Sequence, residues 1–252
     1  MAAAMEARTD VKCIAAPALA ALLLPSAALA GPPFLTDDPE PTETGHWEIY
    51  APLLEAEGSG DAFEGSLGAE INYGAAPNVQ VTLGLPVSYA HDARGWRWGA
   101  GDLKLSVKYR FYHDEDSGVQ VAFFPGATLP TASNGMGTGK VTGLLPVWAQ
   151  KDFGRWSLFG GGGYAINPGA GNRDYWTGGA ALARRFGDRL LIGVEIDRQG
   201  ADAPGARAST SLGLGAIYDP PGPLRLLASA GPTCNDGGGS AFHLFLAVGL
   251  DF

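Results

Sequence analysis

Large apolar residues alternate with polar or small residues along much of this chain, with a period of two. Between residues 78 and 90, one set of alternate positions holds only large apolar side chains, namely Val79, Val81, Leu83, Leu85, Val87 and Tyr89. Successive side chains of a β-strand point to opposite faces, so the pattern predicts a strand with one wholly apolar face. The next segment repeats it with Leu103, Leu105, Val107, Tyr109 and Phe111.

The same period predicts twelve strands. They lie near residues 45–56, 62–74, 78–91, 101–112, 118–131, 140–152, 155–167, 174–186, 189–199, 206–218, 223–233 and 241–252. Alternate links are short and turn-like, at 74–77, 113–118, 152–154, 186–188 and 219–222. The other links, such as 91–100, 132–139 and 199–205, are longer or richer in Gly, Asn and Ser. An even number of strands joined in this way predicts an antiparallel up-and-down barrel.

The last strand carries an additional signal. Phe242, Leu244, Leu246, Val248, Leu250 and Phe252 share one face, and the sequence ends on the aromatic residue. This resembles the terminal strand of outer-membrane proteins, whose final Phe is similar to the signal read by the barrel-assembly machinery. We therefore expect that machinery to be a partner of the chain.

Composition favours a barrel in a membrane. The chain has 38 glycines and only 17% charged residues, and no run of eighteen apolar residues follows the first thirty residues. A barrel spreads its lipid-facing residues over alternate positions, where hydropathy barely registers them. The fold class predicted is therefore all-β, a transmembrane barrel of about twelve strands over residues 45–252, in contact with outer-membrane lipid. A soluble periplasmic lipid-binding barrel remains an alternative, because its core aromatics would look similar.

Residues 1–30 differ from the rest. Arg8 and Lys12 precede an apolar run from Ile14 to Leu24, and Ala28-Leu29-Ala30 resembles a cleavage site. This predicts a secretory signal peptide that is removed after Ala30, and hence export to the bacterial outer membrane. Residues 31–44 form an acidic, Pro-rich arm. It could enter the barrel as a plug, but we expect a periplasmic segment.

Charge and cysteine content exclude other classes. The net charge is −9, and the charged residues of the leader cancel, so the mature chain is equally acidic, which argues against binding nucleic acid. Cys13 would leave with the leader and Cys234 would then be alone. An internal disulfide is therefore not expected.

The charged residues of the predicted strands share one parity. Charges facing lipid near the midplane cost about 2–4 kcal/mol for Lys or Arg, so these residues are expected to face the lumen. The candidate lumen-lining residues are Glu48, Glu64, Glu70, Asp102, Lys104, Lys108, Arg110, Glu195, Asp197, Arg207 and Arg225. They either select solutes by charge or seal the interior with salt bridges.

Signals of enzymatic chemistry are weak. Residues 135–140 suggest a phosphate loop, but Asn134 stands where Gly is required and Val141 where Ser or Thr is required. His243 faces inward without a recognisable serine partner. The other histidines, His46, His91 and His113, are too dispersed for a metal cluster. We expect no catalytic site, no metal and no cofactor.

Several short motifs resemble one known family. Residues 31–41 (GPPFLTDDPEP) followed by 45–48 (GHWE) resemble the start of outer-membrane transporters grouped as the MetA-pathway-of-phenol-degradation family. Residues 101–105 (GDLKL), 108–111 (KYRF) and 129–131 (LPT) are similar to further motifs, although Ala132 replaces a Gly. The resemblance implies a transporter or channel for small, hydrophobic or aromatic molecules. The competing interpretation is a closed structural or adhesive barrel.

Overall fold

The computed structural model describes residues 33–252, an all-β chain. The predicted signal peptide and its cleavage site lie outside the described residues. The strands are β1 Trp47–Ser59, β2 Ala62–Ala76, β3 Val79–Asp92, β4 Gly95–Ala100, β5 Leu103–Asp114, β6 Val119–Phe123, β7 Gly126–Leu129, β8 Thr142–Phe153, β9 Trp156–Ile166, β10 Tyr175–Phe186, β11 Leu190–Gln199, β12 Ser209–Tyr218, β13 Leu224–Asn235 and β14 Ser240–Asp251.

Consecutive strands pair antiparallel around a closed barrel, which β1 and β14 complete. β3 pairs with both β4 and β5, and β6 and β7 both lie between β5 and β8. β4 and β5 together form one interrupted strand of the barrel wall, and β6 and β7 form another. The described strands therefore form a twelve-strand barrel. One interruption is at Pro125, whose missing N–H cannot donate to the ladder. The predicted fold class is confirmed.

The barrel has two distinguishable ends. The near end carries the start of β1 and the end of β14, where the backbone N–H of Trp47 donates to the Phe252 carbonyl at 2.7 Å. The far end carries the opposite connections. Residues 91–100, predicted as a loop, are mostly strand there, because β3 runs to Asp92 and β4 begins at Gly95. Gly95 has a φ of 89°, which permits the tight turn that joins them.

Between the two ends of the barrel, the outward face is apolar and exposed, whereas charged residues point inward. On β5, Leu105 and Val107 are each 42% exposed, while Lys108 between the outward positions is only 4% exposed. This inverts the arrangement of a soluble protein and suits lipid contact. Among residues 33–252, no helix is long and apolar enough to span a lipid bilayer.

The packed core lies inside the barrel and is completed by a residue that precedes the first strand. The ring of Phe34 lies 5.8 Å from the ring of Phe159, measured between centroids. Around them are small and aliphatic inward side chains: Ala181, Ala183, Leu191, Ile217 and Leu227. The segment before β1 is therefore part of the barrel's interior.

Candidate functional site

Residues 33–42, which we call the arm, lie inside the barrel. Phe34, Thr36 and Asp38 are all buried. This corrects the expectation that the predicted segment 31–44 is a free periplasmic one. The physical reason lies on β11 and β12 of the barrel wall. A Cβ added at Gly193 or Gly215 on these strands would come within 3.0 Å of the Phe34 ring. These two glycines leave the space that the ring fills.

Glu195 on β11 binds the backbone of the arm. Its carboxylate oxygens accept hydrogen bonds from the N–H groups of Leu35 and Thr36, each at 3.1 Å. A carboxylate that accepts two backbone N–H groups satisfies donors that would otherwise be buried without partners. Glu195 is itself 5% exposed, so the arm and this carboxylate satisfy each other.

Lys108 on β5 binds the acidic part of the arm. Its Nζ donates to Asp37 Oδ1 at 3.1 Å and to the Glu40 carbonyl at 3.3 Å, and it lies 3.6 Å from Asp38 Oδ1. Burial raises the pKa of the Asp38 carboxyl well above its usual range, and the Lys108 ammonium opposes that rise. Lys108 is therefore the group that favours the ionised form of Asp38 while the arm is inside the barrel.

A cavity of about 310 Å³, the near cavity, lies between the arm and the near end of the barrel. Arg225 organises one side of it. Its guanidinium donates to Glu48 Oε1 at 2.9 Å and to Asp219 Oδ1 at 3.0 Å, and it lies 3.6 Å from Asp251 Oδ2. The Tyr50 hydroxyl donates to Glu48 at 2.6 Å. Ion pairs and the arm thus fill much of the near half of the lumen.

A larger cavity of about 720 Å³, the far cavity, lies on the other side of the arm. Phe34, Leu53 and Phe245 give it apolar walls. Its charged lining consists of Glu55, Glu57, Glu64, Glu70, Asp102 and Lys104. The space is large enough for a small organic molecule, and its mixture of apolar walls with a few polar groups is typical of ligand sites.

Asp102, in the interruption between β4 and β5, holds a loop over the far cavity. Its carboxylate accepts hydrogen bonds from the N–H of Ala132 at 2.9 Å and from the N–H and hydroxyl of Thr138 at 2.7 and 3.0 Å. These residues belong to the far loop, residues 130–141, which joins β7 to β8. Met136 and Gly137 of that loop line the cavity as a result.

The structure brings most of the predicted lumen residues to these places. Glu64, Glu70, Asp102 and Lys104 line the far cavity, and Glu48, Glu70, Lys108 and Arg225 line the near cavity. Glu195 holds the arm, and Asp197 shares its face of β11. Arg110 donates to Asn78 and to Gln120 at the near end.

Arg207 is the exception, because it does not lie in the barrel wall. It belongs to the exposed far-end connection 200–208, and its Nη1 donates to the Gly238 carbonyl at 3.1 Å. The strand predicted from residue 206 begins only at Ser209. Pro204 and Gly205 precede Arg207, and both residues favour a turn over strand pairing.

Glu55 and Glu57 were missed by the period-two pattern. The register of β1 shifts between Tyr50 and Leu53, so the inward set changes from even to odd positions. Glu48 and Tyr50 face inward before the shift, and Glu55 and Glu57 line the far cavity after it. Pro52 was the available signal, because proline inside a strand often marks a bulge.

Known structures share this architecture, although no protein-family model and no curated protein sequence matches the chain. The COG4313 outer-membrane channel from Pseudomonas putida F1 is 14% identical, over 85% of this chain and 98% of that one, with a TM-score of 0.70. The KdgM porin is 9% identical over 82% and 99%, with a TM-score of 0.56. The translocator domain of NalP from Neisseria meningitidis is 15% identical over 82% and 89%, with a TM-score of 0.54.

At these identities the likeness shows the fold alone. The fold is that of outer-membrane β-barrels, two of the three being a channel and a porin. The resemblance to the MetA-pathway-of-phenol-degradation family stays a prediction, because no family model matches.

Proposed function

We propose that this protein is an outer-membrane channel for small molecules with a hydrophobic or aromatic body. The observation that carries the proposal is the far cavity, a space of about 720 Å³ with apolar walls that ends on the arm. Solutes enter this cavity from the far end, which faces the cell exterior. The near end, where β1 begins and β14 ends, faces the periplasm.

Placement in the outer membrane is supported by the wall of the barrel. Exposed outward positions are apolar on successive strands, for example Leu85 on β3, Val107 on β5 and Val147 on β8. A soluble lipid-binding barrel would bury such residues, and it would expose its charged ones. Phe252 pairs through its backbone with Trp47 and is 62% exposed, so its aromatic ring adds to the apolar outer surface at the near end.

Transport requires the arm to move. The far cavity contacts residues 33–35 of the arm, and the near cavity contacts residues 37–42, so the arm lies between them. The docked arm therefore represents the closed state of the channel. Displacement of the arm toward the near end would join the two cavities into one path.

A closed structural barrel is the second candidate function. The packing of the near half favours it, because the buried Arg225 and Lys108 form ion pairs with partly exposed carboxylates across the interior. Such pairs stabilise a fixed arrangement when every member has a partner. This function and the channel differ in what happens when the arm is removed.

The test compares the intact protein with a variant that lacks residues 33–42. Both are reconstituted in planar bilayers for conductance and in liposomes for uptake of small aromatic solutes. We expect low conductance for the intact protein, and increased conductance and uptake for the variant. Heat-modifiable mobility on a denaturing gel verifies that both barrels are folded. Two folded barrels that neither conduct nor take up solute would show a sealed structural protein instead.

A further inference from the structure

The lining of the far cavity carries uncompensated negative charge. It contains five carboxylates and one lysine. Lys104 lies 3.5 Å from Glu55, and Asp102 is occupied by the far loop. Glu57 and Glu64 form no ion pair with any residue between 33 and 252. Arg97 on β4 lies across Ala90 from Glu64, and its guanidinium pairs with Asp92 at 3.1 Å and not with either glutamate.

Glu57 and Glu64 stand directly opposite each other on β1 and β2. Like charges at directly opposite positions of an antiparallel pair destabilise it, since their side chains are close neighbours. The arrangement is relieved when a cation lies between the two carboxylates. Both side chains line the far cavity, so a cation in the cavity can reach them.

A third polar group lies in the same row. His243 on β14 is opposite Glu57 on its other side, so three adjacent strands place His243, Glu57 and Glu64 side by side. Neighbouring strands are about 4.8 Å apart, so the row spans about 10 Å. His243 lines the far cavity and is only 9% exposed.

One ring nitrogen of His243 lacks a partner. Nδ1 lies 3.3 Å from the hydroxyl of Thr233, but Nε2 has no hydrogen-bond partner among the described residues. Leaving a buried polar atom without a partner costs free energy, and such an atom calls for an explanation. With Nδ1–H donating to Thr233, the buried Nε2 is an acceptor without a partner, on the strand next to Glu57.

The chemistry of this row selects among cations. A primary ammonium donates three hydrogen bonds, which matches two carboxylates and one imidazole nitrogen. Phe245 is two residues from His243 on the same face of β14, and with Leu53 it gives the cavity an apolar wall that suits an apolar or aromatic body.

We propose that the far cavity binds a protonated primary amine with an apolar or aromatic body, its ammonium held by Glu57, Glu64 and the Nε2 of His243. This inference names the substrate class of the channel and rests on the proposed function. The site gives the ligand an entry point near the far end, above the arm. Because the lining is acidic overall, it also concentrates cations at the mouth.

The test is calorimetric titration of the full-length protein in detergent micelles at neutral pH, with empty micelles as the reference. Three ligands share one aromatic body: phenethylammonium, phenethyl alcohol and phenylpropionate. We expect saturable binding of the ammonium, binding at least about tenfold weaker for the alcohol, and none for the carboxylate. Equal binding of ammonium and alcohol would overturn the inference.

Variants assign the binding to this row. The double variant Glu57→Gln and Glu64→Gln keeps the side-chain shapes and should weaken ammonium binding at least about tenfold, and His243→Phe should weaken it as well. Asp61→Asn, in the far-end turn between β1 and β2, removes one charge outside the cavity lining and should leave binding unchanged. Ammonium binding that survives in the double variant contradicts the site.

Conductance separates this inference from the proposed function. If the arm-deleted protein conducts but does not discriminate ammonium from alcohol, the channel stands and the amine site is wrong. If it does not conduct, yet binds the ammonium in a way that Glu57→Gln and Glu64→Gln abolish, the site stands and the channel is wrong.

Discussion

At the scale of single residues, Lys108 is the cation that binds the acidic part of the arm. It is the cationic partner of Asp37 and Asp38, and it is 4% exposed. Removing one member of a buried pair leaves an uncompensated charge, which costs about 3–5 kcal/mol. Lys108→Met should therefore destabilise the docked arm and raise conductance in planar bilayers.

The effect of Lys108→Met should depend on pH. Burial raises the pKa of Asp38, so the docked arm favours the protonated acid. Without Lys108, docking should be strongest below the ordinary pKa of Asp, about 3.9, and should weaken as the pH rises from that value through the raised pKa of the docked Asp38 carboxyl. Conductance should rise accordingly from acid to neutral pH. Lys151→Met, which removes an exposed lysine at the near end, is the control and should behave as the unchanged protein. An equal conductance of both variants would show that Lys108 does not hold the arm.

Gly215 controls the seat of the Phe34 ring. A Cβ at this position would lie within 3.0 Å of the ring, so Gly215→Val should expel Phe34 and release the arm. The double variant Gly215→Val and Phe34→Ala has room for both side chains, although it loses the aromatic contact with Phe159. We expect the single variant to conduct more than the double variant. If the double variant conducted more than the single variant in the same bilayers, the contact between Phe34 and Phe159 would hold the arm more strongly than the space at Gly215 does.

At the scale of elements, the far loop is held to the barrel at two places: Ser133 and Asn134 bond to the backbone of β4, and the Asp102 carboxylate binds the loop on either side of them. Asp102 accepts three hydrogen bonds from Ala132 and Thr138. Asp102→Ala removes every acceptor, whereas Asp102→Asn keeps one oxygen. The alanine variant should free the Thr138 side of the loop, which lies over the far cavity, and speed the entry of solutes, with the asparagine variant intermediate. Uptake rates into liposomes, measured in the arm-deleted background, report this order. A ranking in which alanine is no faster than the unchanged protein would exclude the loop as a barrier.

The strands themselves were predictable, because every wall strand has one apolar face that contacts the outside and one face of polar or small residues. The two interruptions at residues 101–102 and 124–125 were not predicted, since alternation continues through them. The lumen residues were predictable only where the period holds. On β1 the register shift after Tyr50 reverses the faces, and a strict period assigns Glu55 and Glu57 to lipid.

The position of the arm could not be derived from its own sequence. A Pro-rich, acidic segment is typical of an exposed linker, and nothing local distinguishes it from a plug. Its binding partners lie far along the chain: Lys108 on β5, Glu195 on β11, and the glycines at 193 and 215. Only the closed barrel brings these four positions around one segment.

At the scale of the whole molecule, charged residues face the lumen and apolar residues face outward between the two ends of the barrel. The acidic residues of the arm and the far cavity face the lumen, where Lys108, Lys104 and Arg225 balance some of them. The outward face between the ends is apolar. This segregation is what a barrel needs in order to be stable in lipid while it keeps a polar interior. It implies that the outward face, and not the interior, determines where the protein resides.

The membrane assignment can be tested by placing one charge at two depths of the same face. Val107 lies in the middle of β5 and Phe111 lies nearer its end, and both face outward, with exposures of 42% and 52%. In lipid, Val107→Arg should lower the free energy of unfolding by about 2–4 kcal/mol, whereas Phe111→Arg near the interface should cost about 0–1 kcal/mol. Urea unfolding in lipid vesicles measures both values. If the protein were a soluble barrel, both positions would face water and the two variants would lose similar stability. A clear difference in the expected order therefore supports contact of this face with the bilayer. Equal losses of stability in the two variants would favour a soluble barrel instead.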